Sequence, residues 1–216
     1  MFSDYTLEGL VMKFSQPSVL VSASLLFSSL ALAQKPSAPG AYSIDSAHSK
    51  VGFEITHLIV SSVEGRFSQF AGNIVLADKF ENSTVNTTIQ MTSIDTAVVD
   101  RDKHLKSPDF FDVAKYPTMT FKSTKIEGVA DSFKITGDLT LHGVSKPVTL
   151  EGKYLGTIKD MSGNNKAAFN AKGKINRKDF GLTWNKVIEG GSVVGDDVSI
   201  DLKIEATAEA KAPAKK

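Results

Sequence analysis

The sequence predicts an all-β fold: an antiparallel barrel of about eight strands with a short capping helix near residues 99–107. Three observations carry this. Hydropathy alternates with period two from Tyr42 onward, the mark of strands with one buried face. Turn-forming stretches separate the alternating runs. Helical periodicity is confined to one short segment.

The alternation can be followed strand by strand. Val51, Phe53, Ile55 and His57 share a face, opposite Lys50, Glu54 and Thr56. Val85, Thr87, Ile89 and Met91 repeat the pattern. Phe133, Ile135, Gly137, Leu139 and Leu141 alternate with Lys134, Thr136, Asp138, Thr140 and His142. Phe169, Ala171, Gly173 and Ile175 form a further apolar face, as do Val198, Ile200, Leu202, Ile204 and Ala206. Weaker strands fit residues 67–76, 118–127 and 148–158. Turns are expected at Val60-Ser61-Ser62, at residues 142–145 and at residues 161–165. The helical exception is VDRDKHLKSPDFFD, residues 99–112, where Ser107-Pro108 ends the helix-forming run. Parallel strands would need helical crossovers, which are missing, so the strands are read as an antiparallel meander. Closing eight such strands removes their edges. A two-sheet sandwich is the fold alternative. Inward Gly137, Gly152, Ala171 and Gly173 either leave interior volume or mark bends of the strands, and spacing alone does not choose.

Composition excludes several function classes. The 25 basic residues are interspersed with 24 acidic ones, so the clustered cationic face that nucleic acid requires is missing. Without cysteine there are no disulfides, thiolate nucleophiles or Cys-ligated metal sites. GxSxG, HExxH and a Gly-rich phosphate loop are also lacking, and four histidines offer little from which to build a catalytic centre.

The ends of the chain carry a different signal. Residues 19–33, VLVSASLLFSSLALA, are uncharged and end in Ala31-Leu32-Ala33, the small-x-small pattern of signal-peptide cleavage. Residues 1–33 are therefore read as a secretory signal cut near Ala33, which directs the chain to the periplasm or outside the cell. Asp4 and Glu8 are wrong for a positive n-region, whereas Met12-Lys13 supplies one, so residues 1–11 are read as a mis-called start. Residues 34–40 are expected to be a Pro/Gly/Ser linker, residues 41–208 the barrel and residues 209–216 a frayed basic tail.

Several ordered blocks resemble the YceI-like family of polyisoprenoid-binding, lipocalin-like periplasmic proteins. They begin with Tyr42-Ser43-Ile44-Asp45-Ser46-Ala47-His48-Ser49, followed by Val51-Gly52-Phe53, His57, Gly65-Arg66-Phe67 and Phe70-Ala71-Gly72. The most distinctive is Ser93-Ile94-Asp95-Thr96 with Arg101-Asp102-Lys103-His104-Leu105 and Asp109-Phe110-Phe111-Asp112. Tyr116-Pro117, the run from Gly137 to Val148, and Asn176-Arg177-Lys178-Asp179-Phe180-Gly181 continue it. Residues 188–197 do not align with the family pattern. The resemblance implies an elongated lipocalin-like barrel whose apolar bore holds an isoprenoid chain, such as a polyprenyl lipid or a quinone tail. It also makes a homodimer an expectation, and loading would involve transient contact with a membrane surface.

On this reading Phe53, Ile55, Ile89, Leu139, Leu141, Phe169 and Ile200 line the bore, and Phe110 and Phe111 are candidate gates. His57, on the apolar face of its strand, is either a hydrogen-bonded mouth histidine or a contact for the lipid headgroup. Arg101, Asp102 and His104 are expected to form a polar brace where the helix caps the barrel, with Arg177 and Asp179 pairing with the capping segment. Neither a metal site nor a catalytic group is expected, and the isoprenoid is a ligand rather than a cofactor. Two other readings remain at this point: a stress-response interaction module with a filled core, and an enzyme acting on a lipid or small amide.

Overall fold

The computed structural model describes residues 38–188 and 191–209. The expected signal segment and most of the expected linker and tail lie outside these residues. No helix among the described residues is long and apolar enough to cross a membrane.

The chain forms an up-and-down antiparallel barrel in which three of the eight walls are composite. β1 (Gly40–Ile44) and β2 (Lys50–His57) run end to end along one side of β13 (Val194–Ala208). β3 (Ser61–Phe67) and β4 (Phe70–Leu76) form the next wall, pairing with β2 and β1 respectively. β5 (Thr84–Gln90) and β6 (Ile94–Asp95) form the third, split by a 3-10 turn at Met91–Ser93. Helix α1 (Val99–Leu105) follows. β7 (Thr118–Val129), β8 (Ser132–Leu141), β9 (Val144–Lys159) and β10 (Asn165–Asn176) then continue in meander order. A short hairpin of β11 (Val187–Ile188) and β12 (Gly191–Ser192) precedes β13. β13 pairs with β10 on its other side, closing the ring, which excludes the sandwich.

The strong alternating runs become strands with the predicted faces: in β8, Phe133, Ile135, Gly137, Leu139 and Leu141 are all buried while Lys134 and Asp138 are exposed. The boundaries differ in several places. The helix stops at Leu105, two residues short of its predicted end. The strand expected over 67–76 is split at Ser68-Gln69, whose backbones bond to the Ser93 and Gln90 region instead of continuing the ladder. The turn near 142 needs only His142 and Gly143, both at positive φ, so Val144 and Ser145 already belong to β9. The turn expected at Val60-Ser61-Ser62 lies earlier, at Leu58-Ile59-Val60, and Ser61 opens β3. Leu58 and Ile59 have φ of 52° and 65°, a region where a β-branched residue is strained by on the order of 1–3 kcal/mol. Turn statistics would not select them.

The inward glycines do not leave interior volume. A Cβ on Gly137 would sit 2.5 Å from the Phe121 ring, one on Gly152 would sit 2.4 Å from Phe133, and one on Gly173 would sit 2.4 Å from Leu150. Side chains of the neighbouring strands fill the space beside them, and at Gly137 the facing strand also shifts register between Ser123 and Lys125, which fits a bend there.

Where β1 gives way to β2, Asp45 N–H donates to the Glu205 carbonyl at 2.9 Å, the Ser49 hydroxyl accepts from Glu205 N–H at 2.9 Å, and ionic contacts add to them. Lys166 Nζ lies 3.0 Å from Asp45 and 3.2 Å from Glu205, and His48 Nδ1 lies 3.0 Å from Asp45. Hydrogen bonds from His48 and Lys166 lower the Asp45 pKa to about 2. Because the folded pKa is depressed, the stabilisation is present above the unfolded carboxylate value and is lost as pH falls from about 4 through about 2. The group is partly exposed, so its contribution is about 1 kcal/mol or less. Asp45→Asn should lower stability by that amount at pH 7 and match the parent below pH 2, as chemical denaturation at the two pH values would show. Gly137→Ala should cost ~1–3 kcal/mol by overpacking against Phe121, measurable in the same way.

Candidate functional site

The barrel encloses a cavity of about 410 Å³. This falls within the range of roughly 300–1,000 Å³ usual for small-molecule sites. Its wall is built from the inward rows of the strands. β2 contributes Val51, Phe53 and Ile55; β5, Val85 and Ile89; β8, Ile135, Leu139 and Leu141; β10, Phe169 and Ala171; and β13, Val198, Ile200, Leu202 and Ile204. All ten residues expected to line the bore or meet the ligand, His57, Phe110 and Phe111 included, lie on this one wall.

The two ends of the cavity differ in chemistry. One end is stopped by aromatic packing. Phe80, from a 3-10 turn at Phe80–Asn82, sits 5.1 Å from Phe133 and 6.4 Å from Tyr154, which in turn sits 5.1 Å from Phe169. The other end gathers His57, Thr96, Arg101, His104, Arg177 and Trp184. No Asp, Glu or Lys lines the cavity among the described residues, so every ionisable group on the lining is cationic or able to become so.

Three of the five expected brace residues act locally. Arg101 Nε donates to Thr96 Oγ1 at 2.8 Å, and its Nη2 donates to the Thr96 carbonyl at 2.7 Å. Asp102 Oδ1 accepts from Thr96 N at 2.9 Å and from Thr96 Oγ1 at 2.5 Å. The buried Thr96 is thus stapled to α1 from both sides, and Asp102 in the first turn also suits the helix dipole. Thr96 received no role from the sequence, because its six-residue spacing from Asp102 matches no capping signature. His104 Nε2 lies 3.0 Å from Asp109, and its ring stands edge-on to Phe110 at 5.0 Å and Trp184 at 5.1 Å. Phe110 and Trp184 pack at 4.8 Å, whereas Phe111 packs on Phe67 at 6.4 Å. Of the two candidate gates, Phe110 therefore belongs to the His104–Trp184 cluster and Phe111 to the β3 wall.

Arg177 and Asp179 do not pair with the capping segment. Arg177, at 3% exposure, donates to the carbonyls of Gly195 (2.8 Å), Leu182 (2.6 Å) and Trp184 (2.8 Å). Asp196 lies 3.5 Å away. Its fork thereby ties Leu182 and Trp184, which lie outside any strand, to Gly195 at the irregular start of β13. Burial pushes the guanidinium below its ordinary pKa, and Asp196 opposes the shift. Asp179 is exposed and has no hydrogen-bond or ion-pair partner among the described residues. Arg177 is buried and Asp179 exposed on the same 3-10 turn, so the two do not act together. Arg177→Met should cost ~3 kcal/mol or more, because three carbonyls lose their donor, while Asp196 keeps Lys178 at 2.8 Å. The unfolding midpoint in denaturant would show it.

A family model described as the YceI-like domain matches residues 42–206. The protein YceI of Escherichia coli O157:H7 is 45% identical over 161 residues, covering 73% of this chain and 84% of that one. Among solved structures, the Campylobacter jejuni YCEI protein superposes with a TM-score of 0.62 at 36% identity, covering 77% of this chain and 96% of its own. A polyisoprenoid binding domain from Saccharophagus degradans shares the fold with a TM-score of 0.55 at 18% identity, covering 78% of this chain and 98% of its own. The apolar barrel and the motif blocks that shape it thus agree with sequence relationship across nearly all of the described region, and the chain belongs to the YceI-like family.

Proposed function

We propose that the chain binds an isoprenoid lipid, a polyprenyl chain or quinone tail, inside the barrel and shields it from water. The observation that carries this is the apolar cavity of about 410 Å³ with its ionisable side chains gathered at one end. An isoprenoid tail has almost no hydrogen-bonding capacity, so its binding must come from burial. Each buried CH₂ contributes on the order of 0.8 kcal/mol, so roughly ten of them supply micromolar affinity before ordering costs. A headgroup that accepts hydrogen bonds would sit at the end holding Arg101, His57 and His104, with the tail running toward the Phe80 plug. A module with a filled core would have no use for such a cavity. The Saccharophagus degradans neighbour, itself called a polyisoprenoid binding domain, supports the reading through shared fold.

The proposal places the chain in the periplasm or outside the cell, after removal of residues 1–33. It includes transient contact with a membrane surface during loading, and it admits a homodimer. It assigns no catalytic step: the ligand leaves chemically unchanged.

The test is mass spectrometry on protein exported from a Gram-negative host and purified without detergent. The intact mass should correspond to a chain beginning at Gln34. An organic extract should hold one polyprenyl or quinone species in stoichiometric amount. An extract that stays empty after incubation with bacterial lipids overturns the reading. Leu139→Trp should narrow the bore and weaken retention by about tenfold, equivalent to ~1.4 kcal/mol, while the β-sheet circular dichroism persists. Undiminished occupancy in that folded variant would remove Leu139 from the binding surface.

A further inference from the structure

The cavity end that holds the polar side chains also exposes large apolar ones, on three separate segments. Leu58, Ile59 and Val60 make up the whole β2–β3 turn, Val98 and Val99 lead into α1, and Val187 lies in β11. Ile59 is 64% exposed, Val60 89%, Val99 82% and Val187 85%. Each segment adjoins the cavity lining: His57 precedes the turn, Thr96 and Arg101 bracket the two valines of α1, and Trp184 and Val193 flank the β11 hairpin. Leu58 N–H donates to the Val193 carbonyl at 2.9 Å, and Val193 N–H donates to Lys186 at 3.0 Å, which ties the turn to that hairpin.

The turn is unfavourable in two independent ways. It presents three consecutive aliphatic side chains to water, and it holds Leu58 and Ile59 at positive φ, where Asn or Gly would fit with less strain. An apolar, strained tip beside the mouth of an apolar cavity is suited to a neighbour that is not water.

We propose that the Leu58-Ile59-Val60 turn inserts into the interface of a lipid bilayer and seats the cavity mouth on the membrane. This rests on the lipid-binding reading, since a bilayer is where an isoprenoid resides. Transfer through water would forfeit all the burial energy of the tail, whereas a seated mouth joins two apolar phases directly. Insertion, not charge, provides the attraction. Charges of both signs surround the segments: Glu54 faces Glu64 across the hairpin below the turn, while Lys103 and Lys186 lie near the other two.

The chain contains no cysteine, so a single one can carry a label. The exported full-length protein would be made as Val60→Cys and as Met161→Cys, the latter at an exposed hairpin tip beyond the aromatic plug. Each would carry an environment-sensitive fluorophore and be mixed with phosphatidylcholine vesicles. A blue shift is expected at position 60 and none at position 161. It should persist when salt rises from about 0.1 to about 1 M, which shortens the Debye length from about 10 to about 3 Å. Ile59→Asn suits the positive φ and removes the aliphatic contact, so it should weaken vesicle affinity roughly tenfold. Its extractable lipid, once loaded, should stay unchanged. The proposal is overturned by an unshifted label at position 60, by equal shifts at both positions, by parental vesicle affinity in Ile59→Asn, or by a shift that needs no vesicles and grows with protein concentration. An empty organic extract with intact insertion at position 60 would sink the lipid-binding reading and leave the membrane contact standing.

Discussion

The structure depends on closure of the hydrogen-bond ladder through β13. That strand pairs with β10 along one side and with β2 and then β1 along the other, so every wall of the ring is paired on both sides, and among its described strands only the two-residue β6 pairs on one side alone, with β3. Backbone bonds between neighbouring strands hold the wall in place without requiring side chains to meet across the centre. A globular core of similar composition would collapse onto empty volume, because unfilled space forfeits dispersion contacts. A closed ladder resists that collapse, and the inward rows can face one another across a cavity. The lipid-binding proposal follows from this constraint: the interior loses contacts when empty and regains them when an apolar chain fills it.

Closure also explains where the polar networks fall. The three composite walls break at residues 45–49, 68–69 and 91–93, and each break is spanned by local bonds in place of ladder bonds. Asp45, Lys166 and Glu205 bridge the first, and the backbones of Ser68 and Ser93 join the other two. Arg177 does the same for the irregular stretch before β13. It is a buried charge whose worth lies in the carbonyls it satisfies, so its removal costs more than a surface ion pair would. The two ends of the cavity differ for a related reason. The Phe80 turn stops one end with packed aromatic rings, whereas the loops at the other end bring Arg and His side chains to the rim.

Alternation in β2, β5, β8, β10 and β13 identified the inward rows, and most residues named from it lie on the cavity wall, Met91, Gly137, Gly173 and Ala206 being the exceptions. This succeeded because period two is a local property: once a strand forms with one apolar face, its inward residues follow. Alternation failed where local sequence is not what decides. Ser61–Phe67 contains few apolar residues and forms a strand because β2 beside it supplies the ladder. The turn at 58–60 contradicts turn propensity, and only the pairing of His57 with Ser61 places it there. The glycines of the bore were ambiguous because the rings that occupy their space belong to Phe121 and Phe133, on neighbouring strands.

By itself the sequence determined the all-β class, the antiparallel order and the inward faces, since strand periodicity and turn spacing are written in consecutive residues. It also determined the family, whose motif blocks stand in order from Tyr42 to Gly181. Only the tertiary structure decided that the ladder closes, that the cavity ends differ in chemistry, that Thr96 is the partner of Arg101 and Asp102, and that Arg177 serves the carbonyls of Leu182, Trp184 and Gly195 rather than the capping helix. Each of these rests on contacts between residues several to well over a hundred positions apart, and such distances leave no periodic trace in a chain.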